Sequence, residues 1–277
     1  MKIGFGTVCF RRYELERCLA AMREVGFEYF ETQATVPFCN HVDVFQDDPE
    51  HLVRLKKKYG YKEITALWAK SGNLLSDADF PTTVGVVLEW AKAAEIPIVH
   101  IGDGNLPAGM SEEEGVKRIA DRLAAACEKA SAAGVKLAIE PHGHFSLTEK
   151  GLKLLMSCGP ADVLGINYDC ANVFRAGYVE TTPEGPIWRR LNTEENEVSV
   201  LDGVKERVIH FHIKDTDLNG NCVPLGEGLV QAKECVQLMK TYGYQGALSW
   251  ETEGNDDFER ALENGKKAFA FMNECLK

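Results

Sequence analysis

Short runs rich in β-branched and aromatic residues alternate with longer segments of helical period along the chain. Such runs are typical of buried β-strands, because they are brief, apolar and bounded by turn residues. Eight strands are predicted, at residues 2–8, 27–33, 63–69, 97–103, 136–142, 164–169, 207–215 and 246–253. A helical pattern follows each strand, so the pattern predicts one strand–helix unit repeated along the chain.

The clearest helical pattern begins at Ser111, which forms the sequence of a capping box with Glu114. Apolar residues then recur at steps of three and four, which places them on one helix face. They are Val116, Ile119, Leu123, Cys127 and Ala130. Several other predicted helices end in a glycine just before the next strand, as expected for a helix C-terminus. These glycines are Gly26, Gly134 and Gly243.

Eight βα units in 277 residues match a (β/α)8 barrel in number and length. The chain has no evident linker or low-complexity stretch, so one TIM barrel domain over residues 1–277 is predicted. The longest irregular segment, residues 173–195, contains Gly177, Pro183, Gly185 and Pro186. It follows the sixth strand, so we expect it on the rim at the C-terminal ends of the strands, either covering a substrate or as a surface excursion.

Composition narrows the classes of function. With 45% hydrophobic and 26% charged residues, the chain is typical of a globular protein, and its net charge of -11 opposes binding to nucleic acid or anionic membranes. No apolar run approaches the roughly 20 residues of a membrane span, and the N-terminus lacks a signal-peptide core. The nine cysteines form no CxxC pair, which favours buried thiols in the reducing cytoplasm.

Strand alternation directs polar side chains at four consecutive strand ends toward the barrel axis. They are Glu140, Asp169, His212 and Glu251. Three converging carboxylates repel one another, and a divalent cation relieves that repulsion. The donor set suits Mn²⁺ best, with Mg²⁺, Co²⁺, Zn²⁺ or Fe²⁺ as alternatives. A purely structural alternative is that these groups pair with Lys214, Lys70 or His210.

Further side chains near strand ends are candidates for substrate contact. His142 shares the inward face of Glu140, and Lys214 lies one layer above His212. The remaining candidates are expected at the barrel rim: Glu31, Trp68, Lys70 and His100. The indole of Trp68 is suited to stack on a sugar ring, whereas Trp250 is expected to pack against the helices.

Five segments make the chain resemble the xylose isomerase-like TIM barrels, over essentially its whole length. They are AIEPHG (138–143), GINYDCANVF (165–174), VIHFHIKD (208–215), PLGEG (224–228) and LSWETEG (248–254). The resemblance implies one metal ion held by Glu140, Asp169, His212 and Glu251. It also implies that Glu140 and Glu251 exchange a proton with the substrate. Asn172 stands where many members have a histidine, which makes it a further substrate-binding candidate.

The resemblance implies a metal-dependent isomerase or epimerase of a monosaccharide or keto-sugar, working through an enediolate. A lyase using the same site, such as a keto-inositol dehydratase or a keto-glycoside eliminase, is the main alternative. An AP endonuclease is disfavoured, because DLNGNCVPLGEG (217–228) lacks the Asp-x-His pair of that branch. A non-catalytic sugar-binding barrel would leave the carboxylates without a chemical role. The oligomeric state stays open, with a homo-oligomer as one option.

Overall fold

The structure is a computed structural model that describes residues 1–175, 177–182, 185–190 and 195–277. The side chains of residues 177–190 lie outside this description, as does Pro183 of the segment singled out above. The strands, in chain order, are β1 (Lys2–Gly6), β2 (Tyr29–Gln33), β3 (Glu63–Asn73), β4 (Ile98–Gly102), β5 (Lys136–Glu140), β6 (Leu164–Asp169), β7 (Gly177–Thr182), β8 (Gly185–Arg190), β9 (Val208–Ile213), β10 (Asp215–Thr216), β11 (Cys222–Val223) and β12 (Ala247–Trp250).

Helices follow the strands of the barrel in the predicted alternation. Those of the described residues are α1 (Leu15–Val25), α2 (Pro49–Tyr59), α3 (Phe80–Ala93), α4 (Glu112–Ala133), α5 (Glu149–Ser157), α6 (Cys170–Arg175), α7 (Glu197–Val204), α8 (Ala232–Tyr242) and α9 (Phe258–Leu276). The capping box at the start of α4 is present, with Ser111 and Glu114 each accepting from the other's backbone N–H. Helices α1, α4 and α8 are followed by Gly26, Gly134 and Gly243, each with positive φ.

Eight parallel strands close into one barrel in the order β1-β12-β9-β6-β5-β4-β3-β2, which confirms the predicted (β/α)8 fold. The outward face of each barrel strand packs against the helices. Trp250 illustrates this face: it is buried, and Gly265 of α9 lies so near that an added Cβ would sit 3.2 Å from its ring. The inward face carries the polar side chains of the site.

The segment after β6 differs from the irregular excursion that the sequence predicted. Helix α6 leads into β7 and β8, which pair antiparallel from Gly177 opposite Arg190 to Thr182 opposite Gly185. A second small hairpin, β10 with β11, follows the seventh barrel strand. Both hairpins come after strand ends, so they extend the same rim of the barrel.

The nine cysteines are all free, and seven of them are buried. Among the helices of the described residues, none combines the length and the apolar character that a membrane crossing requires.

Candidate active site

Four side chains from consecutive barrel strands converge at one point, as strand alternation predicted. Glu140, Asp169, His212 and Glu251 are all buried, and each offers a ligand atom within 4.8 Å of the others. His212 Nδ1 lies at the centre, 3.2 Å from Glu140 Oε2, 3.5 Å from Glu251 Oε2 and 3.8 Å from Asp169 Oδ2. The barrel register explains the meeting, because Asp169 pairs directly with His212 across β6 and β9.

Amide groups fix both oxygens of Glu140. Asn167 donates to Glu140 Oε2 at 2.8 Å, and Asn172 donates to Oε1 at 3.0 Å. Asn172 in turn takes its backbone position from Asp169, whose Oδ1 accepts from the Asn172 N–H at 2.9 Å. Glu140 is therefore held as an oriented carboxylate with its remaining lone pairs directed at the cluster.

Lys214 balances part of the negative charge. Its Nζ lies 2.7 Å from Glu251 Oε2, 3.0 Å from Asp169 Oδ2 and 3.7 Å from Glu253 Oε1. Burial alone would lower the pKa of Lys214, but Asp169, Glu251 and Glu253 together raise it well above its usual range. The same ammonium lowers the pKa of Glu253 to about 2. Lys214 therefore stays cationic. Its pairing with these carboxylates is the contact that the purely structural alternative in the sequence analysis predicted.

Burial and neighbouring charges act on both Glu251 and His212, with opposite outcomes for the effect of burial. It raises the pKa of Glu251, although the charges of His212 and Lys214 oppose that rise. For His212, burial favours the neutral ring, but Glu251, Glu31 and Glu140 reverse this effect and raise its pKa well above the usual range. These carboxylates therefore favour the protonated ring of His212 when no metal ion is bound.

The metal predicted for this cluster fits the donors that the structure presents. Asp169 Oδ2 is fully buried and makes no hydrogen bond of acceptable geometry, although Lys214 Nζ lies 3.0 Å away. Three carboxylates and one imidazole form a donor set suited to Mn²⁺, Mg²⁺ or a similar divalent ion. A cation would satisfy Asp169 Oδ2 and offset the repulsion among the carboxylates.

A second polar layer lies beneath this cluster and contains two residues that were expected at the rim. Glu31 Oε1 is 2.6 Å from His212 Nε2, and Glu31 Oε2 is 3.2 Å from His210 Nε2. Glu31 and His100 are 3% and 1% exposed and are absent from the cavity lining, so their predicted rim positions are wrong. His210 occupies the layer below His212, as predicted, and burial lowers the pKa of both His100 and His210.

A cavity of about 410 Å³ opens above the four-residue cluster. Four predicted contact residues line it: Trp68, His142, Asn172 and Lys214. The ring centroids of Trp68 and His142 lie 5.0 Å apart, and the two rings form one aromatic wall of the cavity. Lys70 does not line this cavity, and its ammonium donates to the Val36 carbonyl at 2.6 Å.

Several residues of the site were missed in the sequence. Gln33 donates to Glu251 Oε1 at 3.1 Å, Arg175 pairs with Glu253 at 3.0 Å, and Asn73 lines the cavity. A simple signal could have found two of them, because Gln33 and Glu253 lie two residues beyond Glu31 and Glu251 and therefore share their strand face. Arg175 and Asn73 offered no such signal, since Arg175 lies in helix α6 and Asn73 follows the register shift in β3.

Two buried aspartates fix loops at the rim. Asp103, after β4, accepts from Phe145 N and from Ser146 Oγ, and that hydroxyl accepts from the N–H of His142. His144, by contrast, pairs with Glu112 away from the cluster.

Asp215, after β9, accepts from the backbone N–H groups of Gly226, Gly228 and Val230. The Gly-Glu-Gly turn thus wraps around this carboxylate, and a Cβ on Gly228 would lie only 2.2 Å from Asp215 Oδ1. Glu227 is exposed and pairs with Lys267 at 2.7 Å.

Comparison with known families agrees with this geometry. The sequence profile of the xylose isomerase-like TIM barrels matches residues 19–275. The chain belongs to this family. The resemblance noted in the sequence is therefore confirmed, and the four-residue cluster lies at the C-terminal strand ends, where TIM barrels carry their active sites. A search of curated proteins found no match to the sequence.

Solved structures of this fold superpose over nearly the whole chain. A D-tagatose 3-epimerase-like protein has a TM-score of 0.77 at 18% identity, covering 100% of this chain and 98% of its own. The IolI protein, whose structure has a bound zinc atom, has a TM-score of 0.77 at 17% identity, covering 98% of both chains. A probable 3-DHS dehydratase, AsbF from Bacillus anthracis, has a TM-score of 0.72 at 19% identity, covering 98% of this chain and 99% of its own. At these identities the likeness establishes the fold.

Proposed function

We propose that this xylose isomerase-like barrel is a metal-dependent isomerase or epimerase of a keto-sugar. The observation that carries the proposal is the convergence of Glu140, Asp169, His212 and Glu251 within 4.8 Å beneath a 410 Å³ cavity. A divalent ion at these residues, Mn²⁺ in our expectation, would supply Lewis-acid polarisation of a carbonyl and stabilise the developing enediolate charge. The epimerase-like neighbour and the zinc bound by IolI support the proposal.

Glu140 and Glu251 are the proposed acid–base pair. One carboxylate removes the proton from the carbon beside the carbonyl, and the other returns a proton to the opposite face or to the adjacent carbon. The first outcome is epimerisation and the second is isomerisation. Hydrogen bonds from Asn172 to Glu140 and from Gln33 to Glu251 keep the two groups oriented for this exchange.

The remaining lining residues are proposed to bind the sugar. The Trp68 and His142 wall offers an apolar face for a sugar ring, and the imidazole offers a polar edge for a hydroxyl group. Lys214, just after β9, and Asn172, in α6, also line the cavity and are suited to bind oxygen atoms near the reacting carbon. We further propose that residues 1–277 form one domain and that the activity is cytoplasmic, which the closed barrel and the nine free thiols support.

A lyase is the second candidate function. The same proton abstraction leads to elimination when an acid protonates a leaving group on the next carbon. His142 lines the cavity beside Trp68 and is a suitable acid, and the likeness to a probable dehydratase supports this alternative. The net charge of -11 argues against a nuclease, and buried acidic groups beneath an open cavity argue against a non-catalytic barrel.

Solvent deuterium exchange tests the proposal. Protein with a measured metal content is incubated in D₂O with a panel of keto-sugars, and deuterium at the carbon beside the carbonyl is followed by NMR. We expect metal-dependent exchange with recovery of an isomer, and loss of exchange in Glu251→Gln with the fold retained. Glu227→Gln is the matched control, because Glu227 is an exposed carboxylate outside the site. Loss of water from the sugar would favour the lyase, and wild-type exchange in Glu251→Gln would refute the proposal.

A further inference from the structure

A second cavity of about 570 Å³ adjoins the first one at the barrel rim. Three residues line both cavities, namely Phe38, Arg175 and Glu253. Beyond this shared wall, Thr252 and Asn221 line only the second cavity. Ligand pockets span roughly 300–1,000 Å³, so each cavity by itself is large enough for a small ligand.

The charged groups of the shared wall, Arg175 and Glu253, neutralise each other. Arg175 pairs with Glu253 at 3.0 Å and donates to the Gly220 carbonyl at 2.8 Å. On the far side, Arg11 donates to the Glu253 carbonyl at 2.9 Å and to Asn255 at 2.8 Å. Both guanidinium groups are thus engaged by protein acceptors, and the cavity is suited to an uncharged polar ligand rather than to a phosphate.

An aromatic platform stands at the boundary between the cavities. Phe38 is 47% exposed, and the Arg11 guanidinium covers one face of its ring at 4.3 Å from the centroid. The exposed part of the Phe38 side chain lines both cavities, where a ligand can reach it. An aromatic face next to polar groups is the arrangement that binds the apolar face of a sugar ring while its hydroxyl groups form hydrogen bonds.

The platform is held in place before any ligand binds. Phe38 N donates to the Thr35 carbonyl at 2.8 Å, and Arg11 donates to the Phe38 carbonyl at 3.3 Å. Lys70 fixes the intervening Val36 carbonyl, which gives this lysine a positioning role. A preorganised platform reduces the entropy lost on binding.

We propose that the second cavity is a subsite for a second sugar ring, so that the substrate is a keto-glycoside of disaccharide size. This inference rests on the proposed function, which places the reacting keto ring in the first cavity beside Trp68. The glycosidic link would pass over the Arg175–Glu253 wall, and the second ring would stack on Phe38. Thr252 and Asn221 would contact the hydroxyl groups of that ring.

The test compares each keto-hexose of the exchange panel with the disaccharide in which glucose is linked to the same keto ring. Dissociation constants are measured by calorimetry on the Mn²⁺-loaded protein, and KM is measured by deuterium exchange. We expect the disaccharide to bind about 10-fold more tightly than the monosaccharide. Phe38→Ala should reduce the preference for the disaccharide about 5- to 10-fold, because it removes one aromatic contact with the second ring.

Two further variants separate the subsite from general damage. Asn221→Trp places a bulky side chain into the second cavity from an exposed turn and should also abolish the preference for the disaccharide. Phe45→Ala is the matched control, because Phe45 is 51% exposed and lines neither cavity. It should leave the preference unchanged.

Failure of this inference is distinguishable from failure of the proposed function. The subsite would be overturned if each disaccharide binds no more tightly than its monosaccharide and if Phe38→Ala and Asn221→Trp do not change either affinity. This holds even if the monosaccharide exchanges deuterium. Tighter disaccharide binding that both variants abolish would support the subsite even without exchange, and only the proton-transfer proposal would then fall.

Discussion

Replacing Lys214 by methionine tests the electrostatic balance of the site. The Lys214 side chain is 4% exposed, and its ammonium lies within 3.0 Å of oxygens on both Asp169 and Glu251. Methionine has nearly the same length and keeps the packing of the aliphatic stem. The substitution therefore removes one buried positive charge and leaves the surrounding carboxylates uncompensated.

The structure sets the size of the expected loss. At an effective dielectric constant of about 20, two unit charges roughly 4 Å apart interact by about 4 kcal/mol, and the desolvation of the lysine offsets part of that attraction. Removing one partner of a buried pair costs about 3–5 kcal/mol. We expect the metal-free Lys214→Met protein to lose about this much free energy of unfolding, with partial recovery when Mn²⁺ supplies positive charge to the same carboxylates.

Urea unfolding followed by circular dichroism, with and without Mn²⁺, measures both effects. Lys267→Met is the control, because Lys267 pairs with Glu227 at 2.7 Å but at the surface, with 40% of its side chain exposed. Such a pair contributes about 0–1 kcal/mol. A Lys214→Met protein no less stable than this control, or one that Mn²⁺ fails to stabilise more than it stabilises wild type, would refute the reasoning.

Two more predictions concern contacts around the site. Glu31→Gln removes the carboxylate facing His212 Nε2, so Mn²⁺ affinity should fall about 10- to 100-fold. Chelator competition measures this affinity, and the circular dichroism spectrum should stay unchanged. An unchanged affinity would contradict the role of Glu31. Gly228→Ala places a Cβ 2.2 Å from Asp215 Oδ1 and should cost about 3 kcal/mol in urea unfolding. Gly109→Ala, with φ +81 but open space, should cost only about 1 kcal/mol, and equal losses would contradict the clash.

Strand alternation predicted the four-residue cluster because its members lie at adjacent strand ends on one face. The same reasoning failed for His100 and Glu31, since height along the barrel axis depends on register. His100 pairs with Ala138, whereas Glu140 pairs with Gly102, so His100 lies one inward layer below Glu140. Register comes from pairing between distant segments, and a single sequence does not display it.

Local irregularity accounts for the other failures. In β3 the register shifts between Trp68 and Asn73, so strict strand alternation from Trp68 does not predict the direction of the Lys70 side chain. The segment after β6 was predicted as irregular because glycine and proline are frequent in it. Proline is tolerated in such a two-stranded hairpin, where half of the backbone groups have no strand partner, so Pro186 in β8 does not prevent pairing.

Crystals soaked in MnCl₂ and measured near the manganese absorption edge test the central claim most directly. We predict one strong anomalous peak bound by Glu140, Asp169, His212 and Glu251, and its loss in Asp169→Asn. A peak held instead by Glu31, His100 and His210, whose donor atoms also lie within 4.8 Å of one another, would contradict the assignment, as would the absence of any peak within the barrel.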